Sequence, residues 1–211
     1  MKNSLRFIQF VIEQGALQFG EFTLKSGRES PYFFNAGLFN DGHTLEVLSK
    51  FYAQAIIDAE MNFDMLFGPA YKGIPLVTAV AMTLAREHKR NVPYAFNRKE
   101  TKRYGDGGQI VGAPLQGRVL IIDDVITAGT AINEAIDMIC NAGGQPIGAV
   151  IAFDRQEKGV GQGASAVETV QQQTGIKVTA VANVNELIQY AESHDLYKEQ
   201  LPKLREYLGI S

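Results

Sequence analysis

The stretch RVLIIDDVITAGTA, residues 118–131, decides how the rest of the chain is read. It opens with the apolar run Val119 to Ile122, rich in β-branched residues, and a short run of that kind predicts a strand buried on both faces, as in a parallel sheet. Asp123 and Asp124 stand where that strand ends. Thr127, Ala128, Gly129 and Thr130 make a turn, and Ile132, Ala135, Ile136 and Ile139 then recur at helical spacing. The stretch reads as strand, polar loop, helix.

That loop has the parts of an anion site. Gly129 allows close approach of backbone to a ligand, Thr127 and Thr130 bring hydroxyls, and the helix behind them presents free N–H groups and the positive end of its dipole. Two adjacent carboxylates would repel a ligand that is only phosphate. They suit one that also carries vicinal hydroxyls or a magnesium ion. A phosphorylated ribose satisfies both halves. The ordinary alternative, an acidic strand end that caps the next helix, would be enough for Asp-Asp alone.

Composition narrows the class. A chain of 211 residues with 45% hydrophobic and 20% charged residues has enough apolar side chain for one packed domain. A net charge of −3 gives no reason to expect general affinity for nucleic acid or anionic membranes. Anionic ligands must therefore meet locally concentrated Lys and Arg. No apolar run approaches the roughly 18 residues of a membrane span, and the N-terminus, with Leu5, Phe7, Ile8, Val11 and Ile12, reads as an amphipathic helix rather than a signal peptide. The single cysteine, Cys140, is expected on the apolar side of the helix after residue 130, which points to a reducing, cytoplasmic setting.

Working outward, Phe19 to Gly37 alternates about Ser26-Gly27 and predicts a hairpin. Phe33 and Phe34 must face opposite ways on it. Either they pack the hairpin on two sides, or they form a platform for a flat heterocycle with Lys25 nearby. A helix follows over His43–Glu60, and then Asp64 to Pro75, DMLFGPAYKGIP, reads as a strand (Met65–Phe67) and a stiff loop holding Lys72. Such a loop at the carboxyl end of a strand is where open α/β sheets bind ligands, although a solvated lysine is the plain alternative. Val92–Phe96 is expected as a strand. After it, Asn97 to Gln109 concentrates Arg98, Lys99, Lys102 and Arg103 and is punctuated by Gly105, Gly107 and Gly108. A solvated face is the usual meaning of such a run. In an acidic protein it also has the make-up of a cationic lid. Pro146–Phe153 predicts a further strand with Arg155 at its end, either a surface arginine or half of a bidentate pair. A strand over Ile176–Val181 and helices over Val167–Gln172, Asn185–Glu192 and Asp195–Leu208 complete the chain.

These motifs together resemble the orotate phosphoribosyltransferases, a family of type I phosphoribosyltransferases. The resemblance is carried by FTLKSGRESPYFF, GPAYKGIP, the R-K-E-x-K order of the basic run, DDVITAGTA and DRQE, and it covers nearly the whole chain. It implies an α/β fold, a doubly wound and mostly parallel sheet in a single domain. A small hood is expected from about residues 1–40 with part of the segment after 155, over a core of about 41–155 and 176–211. The implied reaction moves phosphoribose from 5-phosphoribosyl-1-pyrophosphate (PRPP) to orotate, giving orotidine 5′-monophosphate and pyrophosphate in pyrimidine synthesis. The implied catalytic residues are Lys72, Lys102, Asp123 and Asp124. PRPP is expected against Lys25, Tyr71, Lys72, Arg98, Lys99, Lys102, Tyr104, Asp123, Asp124, Val125, Ile126, Thr127, Ala128, Gly129, Thr130 and Ala131. Orotate is expected against Lys25, Phe33, Phe34, Thr127 and Arg155. Magnesium would be held by PRPP and water near Asp123 and Asp124, with no direct protein ligand.

Many bacterial members carry histidine where this chain has Tyr104, so a histidine acid–base role is not carried over to that position. A homodimer is implied in which the 98–109 loop serves the neighbouring site, with no nucleic-acid or membrane partner and no fused decarboxylase domain. Two other readings remain: a phosphoribosyltransferase for another base, and a PRPP-sensing regulatory protein without turnover.

Overall fold

In a computed structural model, the structure describes residues 2–24, 27–102, 108–157, 163–194 and 197–209, with only the backbone of Thr101 and Lys102. The elements in chain order are α1 (Asn3–Glu13), β1 (Leu17–Thr23), β2 (Glu29–Phe34), a 3-10 turn (Ala36–Leu38), α2 (Gly42–Asp58), β3 (Met65–Gly68), α3 (Gly73–Glu87), β4 (Tyr94–Lys102), β5 (Gly108–Gly112), β6 (Arg118–Asp123), α4 (Thr130–Asn141), β7 (Gln145–Asp154), α5 (Ala166–Thr174), β8 (Lys177–Asn183), α6 (Val184–Glu192) and α7 (Leu201–Leu208). The main sheet runs β5-β4-β3-β6-β7-β8, and β1 pairs with β2 as a separate hairpin. Every pairing in the main sheet is parallel except β4 with β5.

Strand alternation divides the core in two. Leu120 and Ile122 of β6 join Phe7, Leu48, Val80 and Leu187 on one face. Val119 and Ile121 join Ile132, Ile139 and Val170 on the other. The chain leaves β3 toward β4 and leaves β6 toward β7, on opposite sides of the β3–β6 pair. Right-handed crossovers in opposite directions put α3 and α4 on opposite faces, which opens a crevice between the carboxyl ends of β3 and β6.

Three expectations change. The basic run is not a free loop, because β4 continues through Asn97 to Lys102 and pairs antiparallel with β5. Periodicity misses this since charged side chains are tolerated on the edge of a sheet. Cys140 is exposed, because α4 turns Ile132, Ala135 and Ile139 inward and the next residue lies about 100° further round. The last helix starts at Leu201 with Pro202 in its first turn, and it packs on the hairpin: the Arg28 guanidinium lies 4.1 Å above the Tyr207 ring and donates to the Tyr207 carbonyl at 2.9 Å. The β1–β2 hairpin is therefore contacted by α7 as well as by α1.

Candidate active site

At the end of β6, Asp123 and Asp124 are buried, with 6% and 7% exposure. Their orientation is fixed by local bonds: Asp123 Oδ1 accepts the Asp124 amide and Asp124 Oδ1 accepts the Val125 amide, each at 2.9 Å. The backbone is pinned from both sides. The fully buried Tyr52 of α2 donates its hydroxyl to the Asp123 carbonyl at 2.7 Å, and the Ala152 amide of β7 donates to the Asp124 carbonyl at 2.8 Å. Burial, and after it the like charge of Asp124, raise the Asp123 carboxyl to about 7.

The chain then turns into α4. Val125 and Ile126 pack their side chains into the two cores, so only their backbones face a ligand, and the Val125 amide is already taken by Asp124. Thr127, Ala128, Thr130 and Ala131 are exposed. Gly129 adopts φ +77°, and a Cβ there would come 2.8 Å from Val170 Cγ2, so neither its backbone nor its space admits a side chain. The first α4 backbone bond is from the Asn133 amide to the Gly129 carbonyl. The amides of Thr130, Ala131 and Ile132 are thus left at the positive end of a helix with no acidic residue in its first turn.

Across the crevice, the β3–α3 loop folds tightly back. A Cβ on Gly68 would come 2.2 Å from the Gly73 carbonyl oxygen, so both glycines are required by the close approach. The Ala70–Tyr71 peptide is cis, and the Ala70 amide donates to Asn97 Oδ1 at 2.7 Å. Tyr71 is 70% exposed. Lys72 reaches over the crevice to Asp124 Oδ2 at 2.7 Å. On β4, Arg98 is half-buried and Lys99 exposed.

Beneath the hood, Phe34 is buried and stacked on Phe153, with ring centroids 5.5 Å apart. Phe33 is 38% exposed and packs beside Phe22 at 5.5 Å. Of this pair, Phe33 is the residue with ring surface open to a ligand; Phe34 supports the hairpin from the core. Tyr32 is fully buried, and burial holds its phenol protonated far above the usual range. Arg155, beyond the end of β7, pairs with Glu157 at 2.7 Å and approaches Ser30 Oγ at 3.4 Å.

The chain matches the phosphoribosyl transferase domain over residues 38–184. It is 55% identical to an orotate phosphoribosyltransferase of Thioalkalivibrio sulfidiphilus over 95% of this chain and 94% of that protein. It is 52% identical to one of Klebsiella pneumoniae over 96% and 94%. The crystal structure of the Francisella tularensis orotate phosphoribosyltransferase superposes with a TM-score of 0.87 at 45% identity, covering 96% of each chain. This chain belongs to the orotate phosphoribosyltransferases.

The fold thus brings together Lys72, Asp123, Asp124, the 125–131 loop and Arg155 at neighbouring carboxyl ends of β3, β6 and β7, with Arg98 and Lys99 on β4 beside them. Lys25 and Tyr104 lie outside the described residues, as does the Lys102 side chain. Among the described residues no three His, Cys, Asp or Glu side chains converge to cage a metal ion. Residues to which the motifs gave no role are Asn97, which clamps the β3–α3 loop, Tyr52, which braces Asp123, and Glu157, which pairs with Arg155. The signal for Asn97 was present, a polar residue closing a strand run beside the basic segment. A tyrosine on a helix's apolar stripe carries none.

Proposed function

We propose that the chain transfers the phosphoribosyl group of PRPP to orotate, releasing pyrophosphate and forming orotidine 5′-monophosphate. The observation that carries this reading is the Lys72–Asp124 contact across the crevice, beside a helix N-terminus open to an anion. A cation, a carboxylate pair and a phosphate cradle in that order match pyrophosphate, ribose and 5′-phosphate along one donor molecule.

In this mechanism the amides and hydroxyls of Thr127 to Ala131 hold the 5′-phosphate. Asp123 and Asp124 accept hydrogen bonds from the ribose hydroxyls and stabilise positive charge on the ring as the C1–oxygen bond breaks, its electron pair leaving with pyrophosphate. PRPP must displace Lys72 from Asp124, which frees that ammonium, with Arg98, Lys99 and Lys102, for the departing pyrophosphate. Tyr71 flanks it. Thr127, Phe33 and Arg155, with Lys25, orient orotate so that a ring nitrogen meets C1, and Phe34 backs the hairpin. As the bond between the ring nitrogen and C1 forms, the nitrogen's proton passes to the departing pyrophosphate, so positioning and charge supply most of the rate and no strong protein base is required.

Magnesium fits the site through PRPP oxygens and water, since the side chains nearby are hard oxygen donors too few to hold it alone. When bound it would neutralise pyrophosphate charge. The chain works as a single domain, as a cytoplasmic homodimer in which the basic β4–β5 arms, at the edge of the sheet, reach the neighbouring site. No helix among the described residues is long and apolar enough to cross a membrane.

The test is to mix protein, PRPP and magnesium with orotate, uracil, hypoxanthine or adenine separately and follow base consumption. Orotate alone should disappear. Consumption of another base would overturn the acceptor assignment, and PRPP binding without turnover would favour a sensor.

A further inference from the structure

The end of β7 holds a second charged residue that the reaction scheme does not use. Asp154 Oδ1 accepts the Gln156 amide at 2.9 Å, and Gln156 Oε1 accepts a bond from Asn185 at 2.7 Å. The chain is thereby bent and pinned just after β7, so that Arg155 and Glu157 both lie under the hood. Their side chains are 14% and 18% exposed, whereas surface pairs such as Lys50–Glu46 leave 43% and 46%. The Tyr32 hydroxyl approaches Glu157 at 3.4 Å, and the Arg155 guanidinium carbon lies 5.2 Å from the centre of the Tyr32 ring.

A sequestered ion pair adds little net stability, because desolvation offsets the attraction between the charges. What it does supply is orientation. Arg155 spends Nη2 on Glu157 and Ser30, and its Nε–H, on that same edge, is buried. A guanidinium held by its Nε–Nη2 edge leaves the Nη1 donors for a planar acceptor bearing oxygens.

We propose that Glu157 is the positioning residue for the acceptor, fixing the plane of Arg155 so that its Nη1 end meets orotate. This rests on the assignment of Arg155 to the acceptor side. Without Glu157 the guanidinium would remain as a buried charge held only by neutral groups, Ser30 and Tyr32, and would swing toward solvent.

The experiment is a double-mutant cycle on the full-length protein, measuring KM for orotate and for PRPP together with kcat. Glu157→Ala should raise the orotate KM roughly 10-fold or more, with PRPP KM and kcat at saturating orotate within about two-fold. Glu157→Gln, which keeps the shape and one acceptor oxygen, should give a smaller rise and serves if the alanine variant folds poorly. In an Arg155→Ala background the Glu157 change should add nothing, since it acts only through the arginine. An unchanged orotate KM in Glu157→Ala, additive losses, or PRPP KM rising in step would overturn the proposal. If Arg155→Ala itself leaves orotate KM unchanged, the acceptor assignment of Arg155 falls and takes this proposal with it. In both cases orotate turnover by the unaltered protein would still support the overall reaction.

Discussion

The proposed donor side and the proposed acceptor side of this site are built in opposite ways. Asp123 to Ala131 is one contiguous stretch whose carboxylates are oriented by bonds between neighbouring residues, Asp123 to Asp124 and Asp124 to Val125, with Tyr52 and Ala152 bracing its backbone from outside. The acceptor side is assembled from β2, the end of β7 and α7, in contacts such as Arg28 with Tyr207 and Arg155 with Ser30, separated by 179 and 125 residues. Local construction makes a site rigid as soon as its strand and helix form. Remote construction makes it depend on the docking of whole elements, and so leaves it easier to loosen.

Substitutions can separate the two. On the donor side Asp124→Asn should have the largest effect, a loss of roughly 10²–10³ in kcat/KM for PRPP in steady-state assays, because charge opposite the reacting carbon is removed. A loss confined to orotate KM would place Asp124 on the wrong side of the comparison.

Next comes pH. The Asp123 carboxyl is raised from 3.8 to about 7 in the folded state. The folded state therefore binds this proton more tightly than the unfolded chain does. Its contribution to stability is full below the ordinary carboxylate value and declines as pH rises from about 4 to 7, by at most about 4 kcal/mol. Denaturant titrations without substrate should thus show Asp123→Asn gaining on the parent protein across that window and holding level above it. In activity the sign reverses: kcat/KM for PRPP should rise as pH climbs through about 7, where Asp123 becomes the ionised form needed by the reaction. A parallel pH dependence of stability in the two proteins would remove Asp123 as the source.

Gly129→Ala should follow, at about 1–3 kcal/mol of stability, since the backbone is left-handed and the new methyl meets Val170. The thermal midpoint should fall by roughly 2–4 °C per kcal/mol, with PRPP binding weakened and orotate KM measured at saturating PRPP little changed. Tyr52→Phe keeps the ring but leaves the Asp123 carbonyl without its donor, which should cost about 1–3 kcal/mol and weaken PRPP before orotate. The smallest effect is expected on the acceptor side. Arg28→Ala removes the stack on Tyr207 and the bond to its carbonyl, about 1 kcal/mol in all, and should raise orotate KM a few-fold while PRPP KM holds. If orotate and PRPP responded equally to Arg28→Ala, the two halves would be one cooperative unit and the comparison would fail.

The sequence by itself determined the strand, acidic pair, turn and helix of residues 118–141. A buried strand, an acidic pair, a glycine turn and an amphipathic helix are legible because each is set by residues within a few positions of one another, and that stretch also located the crevice in the sheet. The sheet's edge was less legible, because β4 carries charges and β5 is glycine-flanked where periodicity expects a loop, and their pairing is made by backbone bonds that no side-chain pattern marks. Only the tertiary structure decided which aromatic of Phe33 and Phe34 is covered, that Tyr52 braces Asp123 from another helix, and that Lys72 meets Asp124. It alone placed α7 on the hairpin and Glu157 against Arg155. Each of these is a contact between segments far apart in the chain, chosen by how whole elements pack, and no local pattern of residues encodes such a choice.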